Sequence, residues 1–207
     1  MAAAYPIWKE WLPATFTAGK SALEVSDEEF LLLCEQFPDA MVEMDAEGVL
    51  SLSPPTNALT GSWNAEIISQ LRNWNLKARK GVVTDSSAGF RFPDGSRRSP
   101  DAAWVEKSKF ARATATGLLF PVLVPDFVIE LRSPSDRMAQ LDAKMKAYLE
   151  NGVLLGWLLD AQGKSVTIYR PHREAEKIEA PAVVNGEGPV EGFALELGFL
   201  WENASGA

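Results

Sequence analysis

The sequence predicts a mixed α/β (α+β) domain with a central mixed β-sheet flanked by helices. The chain has 207 residues, which suits one domain with a large core. Hydrophobic residues make up 46% and charged residues 23%, as in ordinary globular proteins. Segments with helical and with alternating periodicity follow one another without an internal repeat or a low-complexity linker. We expect a single domain over residues 1–207, in which residues 1–25 and 172–207 extend the core.

The first third of the chain is predicted to form two helices around a hairpin. Ser26 can cap a helix over SDEEFLLLCEQF, because three acidic residues follow it in the first turn. MVEMDAEGVLSLSP alternates around an Asp-Ala-Glu-Gly turn, which indicates a hairpin. In GSWNAEIISQLRNWNLKARKG, apolar residues recur at helical spacing from Trp63 to Trp74.

The rest of the chain alternates between strands and one long helix. Short strands are expected in VVTD, GFRFP and RRSPDAAWVEK, and a Pro- and Ala-rich connection then leads to a strand in DFVIELRS. The helix SDRMAQLDAKMKAYLENG follows, with Pro134 near its start and Gly152 at its end. GWLLD and SVTIYRP predict a second hairpin, and the tail is expected to add one short strand around EGFALELGFLW.

Cysteine content and hydropathy limit the kind of protein this can be. The single cysteine, Cys34, excludes an internal disulfide and a thiolate metal cluster. The first residues lack the features of a signal peptide. The most apolar run, GLLFPVLVPDFVIEL, is interrupted and shorter than the ~20 residues that span a bilayer. We expect a cytoplasmic protein without a membrane partner.

The charge of the chain is unevenly distributed. The net charge is −8, yet ten Lys and Arg residues stand against four Asp and Glu residues between Arg72 and Arg112. Between Glu24 and Glu47 there are nine acidic residues and no basic one. The basic middle can present a positive surface to a phosphate backbone, although a solvated charged face fits the pattern equally well.

Two predicted strands carry an acidic residue where a charge is costly. In PDFVIELRS, Glu130 and Arg132 alternate with apolar side chains, so they occupy the opposite face of the strand. A charge in such a strand requires an ion pair, solvent or a metal. Asp101 follows Pro100 in the preceding strand. Because consecutive strands usually lie side by side, Asp101 and Glu130 can meet and hold a hard divalent cation, Mg²⁺ or Mn²⁺.

Proline-aspartate followed by a strand with Glu-X-basic resembles the PD-(D/E)XK nuclease superfamily. Within it, the chain is most similar to a bacterial family of restriction endonuclease-like proteins once known only as a domain of unknown function. The resemblance runs from about Asp27 to Pro171 and is most specific in PDFVIELRSPSDRMAQLDAKMKAYLENGVLLGWLLD. It implies a restriction endonuclease-like core and a metal-dependent DNA endonuclease that hydrolyses phosphodiester bonds. It also implies that Asp101 and Glu130 bind the metal and that Glu66 supplies a third catalytic acid.

The resemblance places the catalytic lysine on the helix that follows the second acidic strand. Arg132 stands where the wider superfamily has lysine, and Lys144 is the implied replacement. Lys144 lies at the edge of the apolar stripe of that helix and Lys146 on the opposite flank, so periodicity alone barely separates the two. Gln140 lies one turn before Lys144 and is expected to line the site. Arg132 is expected to neutralise the carboxylates or to contact phosphate.

DNA is the expected partner, and the basic middle segment is the expected contact. Arg91, Arg97 and Arg98 would bind the phosphate backbone, although a purely solubilising role for the last two is equally consistent with the sequence. A homodimer is also expected, since many restriction-type nucleases cut both strands as dimers. Tryptophans near both ends of the chain suggest apolar surface for a second subunit, namely Trp8, Trp11 and Trp201.

Two other classes of function remain open from the sequence. The first is a catalytically inactive nuclease-fold domain that acts as a DNA-binding or protein-assembly module, which the acidic chain and Arg132 favour. The second is an unrelated small-molecule-binding α/β protein. In that case Asp101 and Glu130 would form structural ion pairs with Arg98 and Arg132. A shared fold does not decide between these classes.

Overall fold

A computed structural model describes residues 15–134 and 136–202, with side chains from residue 18 onwards. The strands in this part of the chain are β1 (Thr15–Thr17), β2 (Met41–Met44), β3 (Val49–Ser53), β4 (Gly81–Asp85), β5 (Phe90–Arg91), β6 (Arg97–Arg98), β7 (Ala102–Glu106), β8 (Phe127–Leu131), β9 (Leu155–Asp160), β10 (Ser165–Tyr169), β11 (Glu176–Glu179), β12 (Val183–Asn185) and β13 (Ala194–Glu196). The α-helices are α1 (Asp27–Glu35), α2 (Ala58–Ala78), α3 (Lys107–Thr114), α4 (Met138–Glu150) and α5 (Gly198–Glu202). Two short 3₁₀ helices cover Ala22–Glu24 and Gly188–Val190.

The larger sheet has six strands in the order β11-β10-β9-β8-β7-β4. Strands β8 and β9 are parallel, and every other neighbouring pair in this sheet is antiparallel. Helix α4 connects β8 to β9, because parallel neighbours need a crossover that brings the chain back to the same end of the sheet. The predicted central mixed sheet is confirmed.

Helices cover both faces of the larger sheet. On one face, Ile67 and Leu71 of α2 pack in a single core with Ile129 of β8. On the other face, Met145 of α4 packs with Val128 of β8. Since side chains alternate along a strand, Glu130 shares the α4 face with Val128. The strand after the Pro-Asp motif therefore presents its one acidic residue to the helix that carries the predicted lysine.

The smaller sheet has five strands in the order β1-β3-β2-β6-β5. It contains the predicted hairpin β2–β3, and Met44 and Leu50 of that hairpin pack against Phe30 of α1. Strand β6 belongs to this sheet, whereas β7, which begins four residues later, belongs to the larger one. Asp101 lies in the short connection between the two strands. The Pro-Asp motif is therefore at the junction of the two sheets.

The structure differs from the predicted elements in three places. RRSPDAAWVEK forms two strands in different sheets instead of one, because the chain leaves the smaller sheet before Pro100. The connection predicted after it begins with helix α3, whose first amides donate hydrogen bonds to the side chain of Glu106. The tail contains three strands instead of one, and β11 extends the larger sheet. No helix in the described ranges is long and apolar enough to cross a membrane.

Candidate active site

Asp101 and Glu130 lie next to each other, Asp101 immediately before β7 and Glu130 on the neighbouring strand β8. The antiparallel register pairs Ala102 with Ile129, so Asp101 is opposite Glu130. The amide of Leu131 donates to Asp101 Oδ2 at 2.8 Å, which fixes the aspartate against the end of β8. The prediction that the two acidic strands are neighbours is confirmed.

Lys144 reaches the acidic pair from α4. Its Nζ atom is 2.9 Å from Glu130 Oε1, and the Glu130 residue is only 5% exposed. Tyr148 lies one turn further along the helix and donates its hydroxyl to the same Oε1 atom at 2.7 Å. By contrast, Lys146 is exposed and pairs with Asp142 of its own helix. The structure therefore brings Lys144, and not Lys146, to the two carboxylates.

Glu43 also belongs to the cluster, although the sequence patterns did not predict it. It lies on β2 of the smaller sheet, and its Oε1 atom is 3.1 Å from Lys144 Nζ. The amide of Ser99 also donates to Oε1, at 2.6 Å. In MVEMD the alternating pattern places Glu43 opposite the buried Val42 and Met44, where a solvated glutamate is the ordinary expectation. Only the junction of the two sheets brings it to Lys144, and no local signal indicates that junction.

Helix α2 contributes Asn64 to the cluster instead of Glu66. Asn64 Nδ2 donates to Asp101 Oδ1 at 3.1 Å. The side chain of Glu66 is exposed and accepts a hydrogen bond from Gln70 at 3.0 Å. Residues two apart on a helix do not share a face, so Asn64 and Glu66 cannot both point at Asp101. The structure brings Glu43, and not Glu66, into contact with the cluster, so a catalytic role for Glu66 stays a prediction.

Arg132 is paired outside the cluster. Its guanidinium contacts Asp160 of β9 at 2.9 Å, so its charge is compensated there and not by Asp101 or Glu130. This corrects the expectation that Arg132 neutralises the carboxylates. It also corrects the alternative in which Arg132 forms a structural ion pair with them. Gln140 lies exposed in the first turn of α4, and its place in the site stays a prediction.

The three arginines expected at DNA occupy different environments. Arg97 is 2% exposed, and its Nη2 atom donates to Asp27 at 2.8 Å and to the Val25 carbonyl at 3.0 Å. A guanidinium that is buried and bonded in this way cannot reach a phosphate backbone, so the expectation for Arg97 is corrected. Arg91 and Arg98 are half-buried, and Arg91 Nη1 is 3.4 Å from an oxygen of Asp27.

The electrostatics of the cluster are dominated by crowded carboxylates. Burial, together with repulsion from Asp101 and Glu43, raises the pKa of Glu130 to about 7, although Lys144 opposes the change. Burial likewise raises the pKa of Asp101. Burial alone would lower the pKa of Lys144, but Glu130 and Glu43 raise it above its ordinary value. The cluster thus holds three carboxyl groups around one firmly protonated ammonium group.

The donor set fits a hard divalent cation. Within residues 15–134 and 136–202, no group of three or more His, Cys, Asp or Glu side chains is arranged as a metal site. Asp101 and Glu130 supply hard carboxylate oxygens, which together with water are the ligands that Mg²⁺ commonly uses. The surplus of buried negative charge is the property that such an ion would compensate.

The sheet order and the acidic pair define a restriction endonuclease-like fold. The family model described as "Putative restriction endonuclease" (Uma2) matches residues 27–198, which is most of the chain. The chain belongs to this family.

The fold is also similar to a crystal structure described as a putative nuclease belonging to DUF820 from Anabaena variabilis. The TM-score is 0.69 at 21% sequence identity, over 86% of this chain and 97% of that chain. At this identity the similarity concerns the fold alone. No curated protein matches the chain.

Proposed function

We propose that this protein is a Mg²⁺- or Mn²⁺-dependent DNA endonuclease that hydrolyses phosphodiester bonds. The observation that carries the proposal is the contact of Lys144 Nζ with Glu130, at 2.9 Å, beside the aspartate that immediately precedes the neighbouring strand. Membership of a restriction endonuclease family and a nuclease-like fold support the same reaction class.

Asp101 and Glu130 would hold the ion. When bound, such an ion lowers the pKa of a coordinated water and compensates negative charge on the phosphoryl group. The neighbours of the two carboxylates keep them in place for this task. Asn64 and the Leu131 amide bind Asp101, and the Tyr148 hydroxyl binds Glu130. Such outer contacts orient ligands and restrict their rotamers.

Lys144 would act as a fixed positive charge. The adjacent carboxylates raise its pKa, so the amine stays protonated near neutral pH and cannot serve as the general base. A compact ammonium group close to the scissile phosphate would stabilise the negative charge that develops there, or orient the attacking water. Removal of this charge should therefore lower the catalytic rate more than it weakens DNA binding.

DNA contacts are proposed for Arg91 and Arg98, the two arginines of the basic segment that are only half-buried. Cleavage of both strands would require two such sites, so a homodimer is part of the proposal. Trp201 gives this dimer little support, because its side chain packs against the core and donates to the Pro181 carbonyl. Trp8 and Trp11 lie outside the described residues.

Nicking of supercoiled plasmid in Mg²⁺ or Mn²⁺ tests the proposal. Asp101→Asn and Lys144→Met are expected to lower the nicking rate at least ~100-fold, the size of effect seen when one charge-stabilising group is removed. Lys146→Met is the matched control, since it removes an exposed lysine from the same helix. Nicking that survives both site substitutions would refute the proposal. Native protein that binds DNA in a salt-dependent way without nicking it would be an inactive DNA-binding module.

A further inference from the structure

We propose that Glu43 is a positioning residue that retains Lys144 when Glu130 takes up the divalent cation. The proposal rests on the metal-dependent function given above. It assigns a role to the one carboxylate that reaches the cluster from the smaller sheet.

Lys144 has two carboxylate partners in a site with little access to water. Its Nζ atom is 2.9 Å from Glu130 Oε1 and 3.1 Å from Glu43 Oε1, and its side chain is 15% exposed. The two partners come from different sheets, since Glu130 lies on β8 and Glu43 on β2. The ammonium group therefore bridges the two sheets through its ion pairs.

Lys144 and a divalent cation would compete for Glu130. Both are positive, and Glu130 Oε1 already accepts hydrogen bonds from Lys144 and from the Tyr148 hydroxyl. A cation drawn to the carboxylate would repel the ammonium group and weaken its hydrogen bond. If Glu130 were the only partner of Lys144, the ammonium group would then be buried without an ion pair, which is strongly unfavourable. Glu43 removes this penalty, because Lys144 keeps one full ion pair while Glu130 binds the ion.

The position of Glu43 is itself fixed relative to Asp101. The Ser99 amide, two residues before Asp101, donates to Glu43 Oε1 at 2.6 Å. The same carboxylate oxygen thus contacts the Asp101 segment and Lys144, so it sets the distance between the ion-binding aspartate and the catalytic ammonium group. This geometry suits a residue that acts through Lys144. A rival role is direct binding of the ion by Glu43.

A double-mutant cycle on ion affinity separates the two roles. Mn²⁺ and Mg²⁺ are titrated calorimetrically, without DNA, into native protein, Glu43→Gln, Lys144→Gln and the double variant. Glu43→Gln is expected to weaken ion binding about 10- to 100-fold, as is usual when a group that orients a metal site is removed. In the Lys144→Gln background, the same substitution is expected to change affinity by no more than about twofold. Lys144→Gln alone should bind at least as tightly as native protein, because the competing charge is gone.

The matched control and the folding check come from the same hairpin. Glu47→Gln removes an exposed carboxylate from the β2–β3 turn and should leave ion affinity unchanged. The glutamine in Glu43→Gln can still accept the Ser99 amide, so the hairpin should dock normally, which thermal unfolding verifies. If that variant does not fold, Glu43→Asp replaces it in the cycle. It keeps the charge but withdraws it from Lys144, and a smaller loss of affinity that again depends on Lys144 is expected.

The outcomes of the titrations distinguish a positioning role of Glu43 from direct ion binding. An equal loss on removing Glu43 in both backgrounds would show that it acts on the ion directly, and the positioning role would be wrong while the proposed function stands. Absence of any ion binding by native protein would refute both. Plasmid nicking gives a second readout: Glu43→Gln should lower kcat with KM nearly unchanged, since Lys144 is displaced but the DNA-binding surface is not.

Discussion

Two buried ion clusters in this molecule differ in their balance of charge. In the arginine cluster, Arg97 is bonded to Asp27 and to the Val25 carbonyl, with the ring of Phe30 at 4.9 Å from its Cζ atom. In the lysine cluster, a single ammonium group is shared by Glu130 and Glu43, and Asp101 adds a third carboxyl group nearby. In the first cluster the charge of Asp27 is compensated within the protein, since both Arg97 and Arg91 contact its carboxylate. The second has a surplus of negative charge.

The difference shows that burial of charge does not by itself mark a functional site. Arg132 with Asp160 and Lys109 with Asp126 are further pairs in which one cation meets one carboxylate. Such pairs shape the fold.

Arg170 also pairs with two carboxylates, but the side chains of Glu176 and Glu187 are 55% and 47% exposed, so water screens their charge. At the junction of the two sheets, the carboxylates that outnumber their cation are shielded from water. A ligand of opposite charge is the natural means of compensating such an excess.

The largest effect is expected from breaking the arginine cluster. Arg97→Met leaves the largely buried Asp27 without its strongest partner and should lower the free energy of unfolding by about 3–5 kcal/mol. Urea denaturation measures the loss. Arg98→Met is the matched control, since the neighbouring side chain is only half-buried, and it should cost less than about 1 kcal/mol. An equal loss of stability for the two substitutions would show that the buried Arg97 contributes no more to the fold than its half-buried neighbour.

The next effect is a dependence of stability on pH that belongs to the lysine cluster. The pKa of Glu130 is raised from 4.5 to about 7, so between these values the folded protein binds more protons than the unfolded chain. Stability must therefore fall as pH rises through this window, by on the order of 3 kcal/mol for this group alone. The free energy of unfolding of native protein is compared with that of Glu130→Gln across pH. A difference that stays constant, or that favours native protein at higher pH, would contradict the raised pKa.

A smaller effect is expected from the hydroxyl that orients Glu130. Tyr148→Phe removes the 2.7 Å hydrogen bond to Oε1 and should weaken Mn²⁺ binding about tenfold, while the ring stays packed on Phe92. Calorimetry measures the affinity. Tyr169→Phe is the control, because its hydroxyl binds Asp142 outside the cluster and should leave ion affinity unchanged. Unchanged affinity in Tyr148→Phe would mean that Glu130 does not need this donor.

The smallest effect is expected at Glu66. Its side chain is exposed and paired with Gln70, so Glu66→Gln should leave the plasmid-nicking rate within about twofold of the native rate. Asn64→Ala on the same helix should lower the nicking rate more than Glu66→Gln does, because it removes a donor to Asp101. A loss at Glu66 as large as that of Asp101→Asn would restore it as a catalytic acid.

Local patterns predicted the parts of the fold and site that depend on neighbours in sequence. Periodicity indicated α1, α2 and α4, and the order of strands predicted the meeting of Asp101 with Glu130. The resemblance to a known family was needed to prefer Lys144 over Lys146. Glu43 could not be found in this way, because it reaches Lys144 only through the junction of two sheets. The burial of Arg97 was equally hidden, since it depends on Asp27, 70 residues earlier in the chain.

Stability in the presence and absence of Mg²⁺ tests the central claim, that the surplus negative charge beside Lys144 forms a cation site. An ion that binds only the folded protein should raise the free energy of unfolding by about 2.7 kcal/mol at a concentration one hundred times its Kd. We expect this gain in native protein and its loss in Asp101→Asn. A stability that does not respond to Mg²⁺ or Mn²⁺, or an equal gain in Asp101→Asn, would contradict the claim.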